Sequence, residues 1–516
     1  MPNEHTPDIL NTLANLSSDE VFTSPELVNA LLDLLPQELF TNPKSTFLDP
    51  SCKTGVFLRE IAKRLMKGIA KDYPDVQERI NHIMGEQLYG ISLTNLTYLV
   101  SNRTVYCSMY PDGDMSAVSS FGKGISKGSG NIRWESIKHT WDVEDENKAK
   151  CIYCSAPKKQ YKNDENAENY AYGFIHPSYY NRVSKMKFDV IIGNPPYQLS
   201  DGGAQASATP IYNLFIENAI KMNPKYLCMI VPARWYTGGK TPEEFRLKMI
   251  TDRHIKELYD HSNSADCFPT LGDHNIKGGI CYFLWSRDYD GPCTIHTMEK
   301  DVCVHTSVRY LKEDGCDVFI RDEAGVQILN KIKQQTKSHF QDIVSSRKPF
   351  GLPTNFKDFV DRPFGDKTIK IYANKAIGYV SKSQLMKNAD WVSKYKLFVP
   401  KAVGNGDVSS DRIKPKLMGP NTCCTETYLV IGPFNTEEES KNCATYIETK
   451  FFHYLLSLKK ITQDNTQKVY QFIPMVPLTK AWTDAELYKE FNLTDEEITY
   501  IESTVWPAKE VAEDDE

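Results

Sequence analysis

The sequence lacks the features that would place the protein in a membrane or outside the cell. No run of about eighteen apolar residues occurs in the 516-residue chain, so no segment predicts a membrane-spanning helix. The first residues contain no basic region followed by an apolar stretch, which argues against a signal peptide. The thirteen cysteines are scattered rather than spaced as a disulfide framework. We therefore expect a cytoplasmic protein.

The chain also lacks the net positive charge that is usual in nucleic-acid-binding proteins, since its formal net charge is −6 at pH 7. The charge is unevenly distributed, however. Residues 341–420 contain 15 lysines and arginines against 7 acids, whereas residues 507–516 contain five acids and one lysine. The basic stretch is either a solvated face or a surface that contacts nucleic acid.

The strongest chemical signal lies at residues 188–197, where an apolar, β-branched run ends in Asn194, Pro195, Pro196 and Tyr197. In an open α/β sheet, ligands bind at the carboxyl ends of the strands. The prolines stiffen the turn, so that an asparagine oxygen and a neighbouring carbonyl can accept both hydrogens of an exocyclic amine. The tyrosine ring can stack on the base that carries the amine. Taken alone, the motif also fits a rigid turn with a surface tyrosine.

A second motif, residues 47–58, predicts a strand, a tight turn and the start of a helix. A helix N-terminus after such a turn is a binding site for a nucleotide-like cofactor. Further upstream, Ser24 is placed to cap a helix whose first residue is Pro25. The motif at residues 47–58 predicts a cofactor site that precedes the amine-binding motif in the chain, whereas the Ser24 segment, taken alone, predicts only a well-capped helix.

Together, the two motifs resemble those of the γ-class adenine-N6 DNA methyltransferases of type II restriction–modification systems. The resemblance covers most of the chain and is most specific in the two motifs, which occur in the γ order with a long C-terminal region after them. It implies methyl transfer from S-adenosylmethionine (SAM) to N6 of an adenine flipped out of duplex DNA. The usual cofactor loop reads Asp-Pro-x-x-Gly-x-Gly, and Lys53 stands here in place of the first late glycine.

The resemblance implies specific site residues and no catalytic metal. The implied catalytic residues are Asn194, Pro195, Pro196 and Tyr197. The implied cofactor-binding residues are Thr23, Pro25, Asp49, Pro50, Ser51, Lys53, Thr54, Gly55, Phe57 and Asn194. Ser92 stands where Rossmann-like sites place an acid for the ribose hydroxyls, so no ribose ligand is assigned. Trp235 either supports the base pocket or packs at a strand end.

The predicted fold class is α/β, with a Rossmann-like SAM-dependent methyltransferase domain (a mixed, mostly parallel sheet) followed by an α+β target-recognition domain. We place the first domain at residues 1–310, with an insertion at about 107–180, and the DNA-recognition domain at residues 311–516. Phosphates require cations and base edges require polar side chains. The predicted DNA contacts are Arg347, Lys348, Lys357, Lys396, Lys401, Lys459 and Lys460.

Several local elements are predicted as well. We expect strands at residues 88–93, 226–231 and 280–285, helices at residues 95–106 and 437–458, and a flexible lid at residues 201–204. The segment between residues 139 and 176 contains His139, Cys151, Cys154 and His176, which have the ligand types of a structural zinc site. The alternative is a reduced turn with two unrelated histidines, and both interpretations stay open.

Other functions are compatible with parts of the sequence. Asn-Pro-Pro-Tyr also serves methyltransferases that act on RNA or protein amines, although these resembled families are generally smaller and lack a large C-terminal recognition region. A fused nuclease is not expected, because no metal-binding carboxylate cluster with a lysine partner is found. A non-catalytic DNA-binding specificity subunit is disfavoured by the intact motifs. The expected partners are double-stranded DNA and, if the enzyme is not an orphan, a cognate restriction endonuclease on a separate chain.

Overall fold

The computed structural model describes residues 22–121, 130–159, 161, 171–199, 209–237, 241–269, 276, 278–365, 368–403, 412–460 and 463–505. The chain divides into two compact units, Met1–Lys312 (unit 1) and Glu313–Glu516 (unit 2). Within the described ranges, no helix is both long enough and apolar enough to cross a bilayer. The predicted lid at residues 201–204 lies outside the described residues.

Unit 1 is built on a nine-stranded sheet. Its strands are β1 (Phe47–Cys52), β2 (Leu88–Ser92), β3 (Ile132–Arg133), β4 (Val190–Gly193), β7 (Tyr226–Pro232), β8 (Ile255–His261), β9 (Ile280–Ser286), β10 (Cys293–Glu299) and β11 (Val302–Arg309). Their order across the sheet is β11-β10-β8-β9-β7-β4-β1-β2-β3. The short strands β5 (Gln198–Leu199) and β6 (Thr209–Pro210) pair with each other outside this sheet.

The central strands of this sheet are parallel. β3, β2, β1, β4 and β7 run in one direction, whereas β9 is antiparallel to both of its neighbours, β7 and β8. β1 and β4 are buried along their whole length, because a central parallel strand is covered on both faces, and β4 is accordingly apolar throughout. The predicted α/β class with a mixed, mostly parallel sheet is confirmed.

The helices of unit 1 cover this sheet. They are α1 (Pro25–Asp33), α2 (Val56–Gly68), α3 (Val76–His82), α4 (Asn95–Tyr106), α5 (Pro177–Val183), α6 (Tyr212–Lys221) and α7 (Glu243–Thr251). Helix α1 begins as predicted, since the Ser24 hydroxyl accepts a hydrogen bond from the backbone N–H of Leu27 and Pro25 occupies the first turn. Helix α4 has the predicted bounds.

Gly55 allows α2 to begin close to α4. It adopts a left-handed conformation (φ 77°) at the N-cap of α2, and a Cβ atom there would lie 3.1 Å from the backbone of Ser101 in α4. This late glycine of the predicted cofactor loop is therefore required both by backbone conformation and by helix packing. The cofactor loop thus joins β1 to a helix that is tightly packed from its first turn.

Unit 2 has an α+β architecture. Its strands are β12 (Ile369–Ala373), β13 (Ala376–Val380), β14 (Tyr395–Pro400), β15 (Lys416–Met418), β16 (Thr422–Cys424) and β17 (Tyr428–Phe434), in two sheets of order β13-β12-β16 and β15-β14-β17. Its helices are α8 (Glu323–Gln335), α9 (Glu437–Ile447), α10 (Lys450–Ser457), α11 (Asp484–Glu490) and α12 (Asp495–Thr504). The prediction of one continuous helix at residues 437–458 was wrong. Two helices, α9 and α10, occupy this segment, and Thr449 between them caps α10.

Candidate functional site

A cavity opens between β1 and β4. From β1 the chain continues to β2 and β3 on one side of the sheet, and β4 and the later strands lie on the other side. In open α/β sheets, the crevice at this point is where ligands bind. The cavity is lined by Phe22, Thr23, Asp49, Ser51, Lys53, Thr54, Gly55, Val56, Phe57 and Asn194. Eight of the ten predicted cofactor residues are therefore brought together around one space. Of the remaining two, Pro25 lies in α1 and Pro50 in β1, and neither lines the cavity.

The carboxylate of Asp49 is held at the floor of this cavity by its own turn. Asp49 is buried, and its Oδ1 accepts hydrogen bonds from the backbone N–H of Ser51 at 3.0 Å and from the Ser51 hydroxyl at 3.4 Å. Gly193 of β4 faces the same carboxylate, and a Cβ atom there would lie only 2.7 Å from Asp49 Oδ1. Sequence reasoning missed Gly193, because this close approach depends on the pairing of β1 with β4.

Burial dominates the electrostatics of Asp49. It raises the pKa of this carboxyl to about 7, against the opposing effects of the Ser51 hydrogen bonds and the nearby charge of Lys53. Lys53 is itself buried in the cavity wall. The cavity therefore contains two groups close together: the Asp49 carboxyl, which gains or loses its proton near neutral pH, and the cation of Lys53.

Asp49→Asn should stabilise the cofactor-free protein increasingly as the pH rises. The folded-state pKa of about 7 lies above the ordinary value of 3.8, so the native state binds more protons between these pH values and loses stability as the pH rises through them. Urea unfolding should show that the variant gains about 2–3 kcal/mol over the parent between pH 5 and pH 8. Asp114→Asn, at an exposed position of unit 1, is the control and should not show this gain.

The side chain of Asn194 is fixed by a contact with the segment before α1. Asn194 is buried directly after β4, and its Nδ2 donates a hydrogen bond to Thr23 Oγ1 at 3.0 Å. The two residues are 171 positions apart in the sequence. Because the carboxamide is held through its nitrogen, its orientation is set before any ligand binds. Asn194 thus connects this cavity to the turn that follows β4.

Pro195, Pro196 and Tyr197 continue this turn in the interior of unit 1. All three are buried, and Tyr197 is only 8% exposed. Burial raises the pKa of the Tyr197 phenol well above its ordinary range, and the nearby Cys267 and Cys281 add to this effect. Its hydroxyl has no hydrogen-bond partner among the described residues. The alternative interpretation of a surface tyrosine on a rigid turn does not fit this placement.

Comparison with known proteins identifies the family. Residues 86–268 match the model of the family described as Eco57I restriction-modification methylase. A Mycoplasma pneumoniae protein described as an uncharacterized adenine-specific methylase is 38% identical over 309 residues, which cover 56% of this chain and 72% of that protein. This chain belongs to the Eco57I restriction-modification methylase family. The resemblance predicted from the two motifs is thereby confirmed, and membership in a methylase family implies the use of SAM.

Two solved structures of protein–DNA complexes are also similar to this methylase. A nuclease-deletion mutant of the Type ISP enzyme LlaGI, in complex with a DNA substrate mimic, aligns with 89% of this chain and 46% of its own, at 11% identity and a TM-score of 0.48. The DrdV–DNA complex aligns with 94% of this chain and 56% of its own, at 12% identity and a TM-score of 0.45. The methylase therefore spans about half the length of these two solved chains.

Two further positions of the methylase were considered from the sequence. Ser92, at the end of β2, is buried, and its hydroxyl lies 3.2 Å from the hydroxyl of Ser101. Trp235 is completely buried in a 3-10 turn after β7, and its ring packs edge-on against Tyr236 at a centroid distance of 4.7 Å. Trp235 is thus part of the packing at the end of β7.

Three lysines of unit 2 predicted to contact DNA are buried, and this corrects the prediction. Lys396 is completely buried, and its ammonium donates to the carbonyl oxygens of Lys394 at 2.8 Å and Gly419 at 3.3 Å. Burial lowers the pKa of Lys396 to about 8. Lys459 pairs with Asp317, and Lys460 donates to a backbone carbonyl at 2.9 Å. A paired ammonium in the interior cannot reach a phosphate, so these three residues are structural.

The other predicted DNA contacts remain at or near the surface. Arg347, Lys348 and Lys401 converge on the buried carboxylate of Glu426: Arg347 Nε lies 2.7 Å from it, Lys401 Nζ 3.3 Å and Lys348 Nζ 4.0 Å. Burial alone would raise the pKa of Glu426, but hydrogen bonds from Arg347 and Lys401 hold this pKa below its ordinary value. Lys357 is exposed. Because three cations share one carboxylate, this group, which we call the Glu426 cluster, keeps a net positive charge.

The predicted metal ligands of the methylase are brought together. His139, Cys151, Cys154 and His176 are all buried, and their four ligand atoms lie within 4.8 Å of one another. Cys151 Sγ lies 3.5 Å from His176 Nε2, and Cys154 Sγ lies 3.5 Å from His139 Nδ1. This group can hold a metal ion, and the alternative of two unrelated histidines does not fit the structure.

Proposed function

We propose that this methylase transfers a methyl group from SAM to N6 of adenine in duplex DNA, as part of a restriction–modification or related defence system. The observation that carries the proposal is the position of Asn194, which lines the cofactor cavity and begins the Asn-Pro-Pro-Tyr turn. In the proposed reaction, one residue would thus face both the methyl donor and the acceptor. We propose that the enzyme works in the bacterial cytoplasm, whether the host or a phage encodes it.

The residues of the cavity fit the polar part of SAM. Asp49 and Lys53 place a carboxyl group and a cation in one cavity, which suits a ligand that carries both an ammonium and a carboxylate. Phe22 and Phe57 add apolar surface to the same cavity. We assign the binding of the methionine part of SAM to these residues. When bound, SAM supplies a methyl group activated by its sulfonium.

The turn after β4 would bind and orient the acceptor. Adenine N6 is not accessible within a base pair, so the base must be flipped out at a cost of a few kcal/mol. The Asn194 side-chain oxygen and the Pro195 carbonyl would accept the two N6 hydrogens, which directs the nitrogen lone pair toward the methyl donor. Stacking on Tyr197, worth about 1–3 kcal/mol, would offset part of the cost of flipping. The chain thus contributes positioning and preorganised hydrogen bonds, without a covalent intermediate.

Tyr197 would form an inner wall of the base site. Since the ring is buried and lies near Cys267 and Cys281, a base that stacks on it would have to enter the interior of unit 1. An enclosed site excludes water, which strengthens the hydrogen bonds to N6. The buried position of Tyr197 supports the proposed extrusion of the base from the duplex.

We further propose that unit 2 contains the DNA-recognition surface, with the Glu426 cluster as a phosphate-binding part of it. The partly exposed Arg347, Lys348 and Lys401 are arranged around one carboxylate, which limits their conformational freedom before DNA binds. Phosphate contacts of this kind fix the position of a protein on the duplex, whereas base contacts determine its sequence preference. Lys357 is exposed in the same unit and is a candidate for a further contact.

Arg347→Gln is expected to weaken non-specific binding to duplex DNA and to reduce the slope of log K against log salt by about one. The slope changes because each phosphate contact releases about one counterion from the DNA, and the variant lacks one such contact. Fluorescence anisotropy with a labelled duplex at several salt concentrations would measure the slope. Lys396→Met removes a buried cation from the same unit and should leave the slope unchanged. Equal slopes for the parent and Arg347→Gln would remove the Glu426 cluster from the proposed surface.

The test of the proposed function is expression in a methylation-deficient bacterial host, followed by single-molecule sequencing of the genome. N6-methyladenine confined to one short sequence motif is the expected result, and it would give the substrate, the modified atom and the recognition sequence together. An unmodified genome from cells that contain SAM-binding protein would contradict the proposal and favour an RNA or protein amine. A non-catalytic specificity subunit would leave every one of these substrates unmodified.

A further inference from the structure

The predicted insertion of unit 1 contains a group of four buried side chains that the methyl-transfer mechanism does not use. They are His139, Cys151, Cys154 and His176, each no more than 4% exposed. We propose that these residues form a structural zinc site that fixes the insertion to the catalytic unit. Two thiolates and two imidazoles are the donor set of closed tetrahedral zinc sites, whereas magnesium and calcium prefer oxygen ligands.

The distances between the donor atoms fit a tetrahedral ion. Zn–S bonds of about 2.3 Å and Zn–N bonds of about 2.0 Å at the tetrahedral angle require sulfur–nitrogen separations of about 3.6 Å. The sulfur–nitrogen separation is 3.5 Å in the Cys151–His176 pair and also 3.5 Å in the Cys154–His139 pair. Since all four donor atoms lie within 4.8 Å of one another, one ion can contact every donor after small side-chain adjustments.

One of the histidines is already oriented for a metal. His176 Nδ1 lies 2.8 Å from the carbonyl oxygen of Tyr172, so this nitrogen carries the proton and Nε2 directs its lone pair toward the cysteines. A carbonyl partner on the second nitrogen is the usual support of a zinc-bound imidazole, because it fixes both tautomer and ring orientation. This hydrogen bond is a second observation for the site, independent of the distances between donors.

The two cysteines lie on a tight turn that points both sulfurs to the same side. Ser155 has a left-handed conformation (φ 60°), and the backbone N–H of Cys151 donates to the carbonyl oxygen of Ala156 at 2.8 Å. Ile152 N–H donates to the carbonyl oxygen of Thr140 at 2.9 Å, which ties the turn to the segment that carries His139. The backbone thus brings three of the four ligands together over 16 residues.

The position of the group explains why a metal would be needed there. In the described residues between β3 and α5, no helix and no named strand is present, so the segment has little regular backbone structure to stabilise it. Small regions without a sufficient core are commonly stabilised by a metal. His176 is the residue immediately before α5, and the Tyr180 hydroxyl in α5 donates to the carbonyl oxygen of Asn218 in α6 at 3.0 Å. An ion at this site would therefore join the insertion to the helices beside β4.

The site would be structural rather than catalytic. All four coordination positions would be filled by protein ligands, which leaves none for a water molecule or a substrate. Its role would be to hold α5 in place, and α5 is followed directly by the strand that positions Asn194. The inference does not depend on the proposed function, because zinc content can be measured without a methyl-transfer assay.

The test is to purify the full-length protein without chelators and to measure its metal content by elemental mass spectrometry. We expect about one zinc ion per chain, and less than about one fifth of this in Cys154→Ser. Cys303→Ser, which alters an exposed cysteine of the same unit, is the matched control and should keep the full amount. Replacement of zinc by cobalt should give the intense visible absorption of tetrahedral cobalt with thiolate ligands, and this absorption should be absent from Cys154→Ser.

The parent protein alone can overturn the proposal, even if the ligand variant does not fold. Purified protein with no zinc, which also takes up none when zinc is added under reducing conditions, would exclude the site. A Cys151–Cys154 disulfide in protein kept under reducing conditions would exclude it as well. Removal of zinc by a chelator should lower the thermal midpoint of unfolding of the parent and of Cys303→Ser, and an unchanged midpoint in both would exclude the structural role.

Discussion

Replacement of Asn194 by alanine is expected to reduce the rate of methyl transfer by about 100- to 1000-fold. The alanine side chain cannot accept the N6 hydrogen, so the amine is no longer held with its lone pair toward the donor. Loss of one preorganised hydrogen-bonding group in a buried site has an effect of this size, because no water molecule replaces it in the correct position. SAM affinity should change only a few-fold, since Asn194 is one of ten residues that line the cavity.

Single-turnover methylation of a DNA duplex and calorimetric titration with SAM would measure these two effects separately. Asn194→Asp is the matched variant, because it keeps an acceptor oxygen but loses the amide nitrogen that donates to Thr23. It should therefore retain more activity than Asn194→Ala. Full activity of Asn194→Ala would refute the proposed mechanism. Loss of SAM binding equal to the loss of rate would instead assign Asn194 to the cofactor alone.

The central strands could be predicted because their local sequence is decisive. β4, β7 and β9 are short apolar runs with buried side chains, and β1 begins with the apolar residues Phe47 and Leu48. β2 was also predicted, whereas three other strands of this sheet gave no such signal. β8 mixes charged and apolar residues, β11 is largely exposed, and β3 has only two residues. Their strand conformation is established by pairing with neighbours, which a local pattern does not reveal.

Sequence reasoning named most of the residues that line the cavity, but not the contacts between them. The hydrogen bond between Asn194 and Thr23 and the close approach of Gly193 to Asp49 join segments that are more than a hundred residues apart. The burial of Lys396 is similar, because its ammonium is satisfied in part by the carbonyl of Gly419 on a neighbouring loop. Composition identified the basic region correctly, yet only the tertiary structure separates its surface cations from its buried ones.

Gly193→Ala should weaken SAM binding by at least about tenfold, which corresponds to about 1.4 kcal/mol. The added Cβ atom would lie 2.7 Å from Asp49 Oδ1 and 3.0 Å from Ser51 Oγ, well inside van der Waals contact. The backbones of both strands are fixed by the sheet, so the Asp49 carboxylate has to yield, which disturbs its hydrogen bonds to Ser51. The carboxylate at the floor of the cavity must therefore shift. Calorimetric titration with SAM would measure the loss of affinity.

A second glycine separates this local effect from a general loss of stability. Gly90 lies in β2, and a Cβ atom there would lie 2.9 Å from Leu58 Cδ1, so Gly90→Ala also overpacks the sheet at a cost of about 1–3 kcal/mol. Its neighbours are apolar and belong to the core, so SAM affinity should be nearly unchanged. If both variants lose the same stability and only Gly193→Ala loses SAM affinity, the contact between β4 and Asp49 determines cofactor binding. Equal SAM affinity in the two variants would mean that the Asp49 carboxylate does not hold the cofactor.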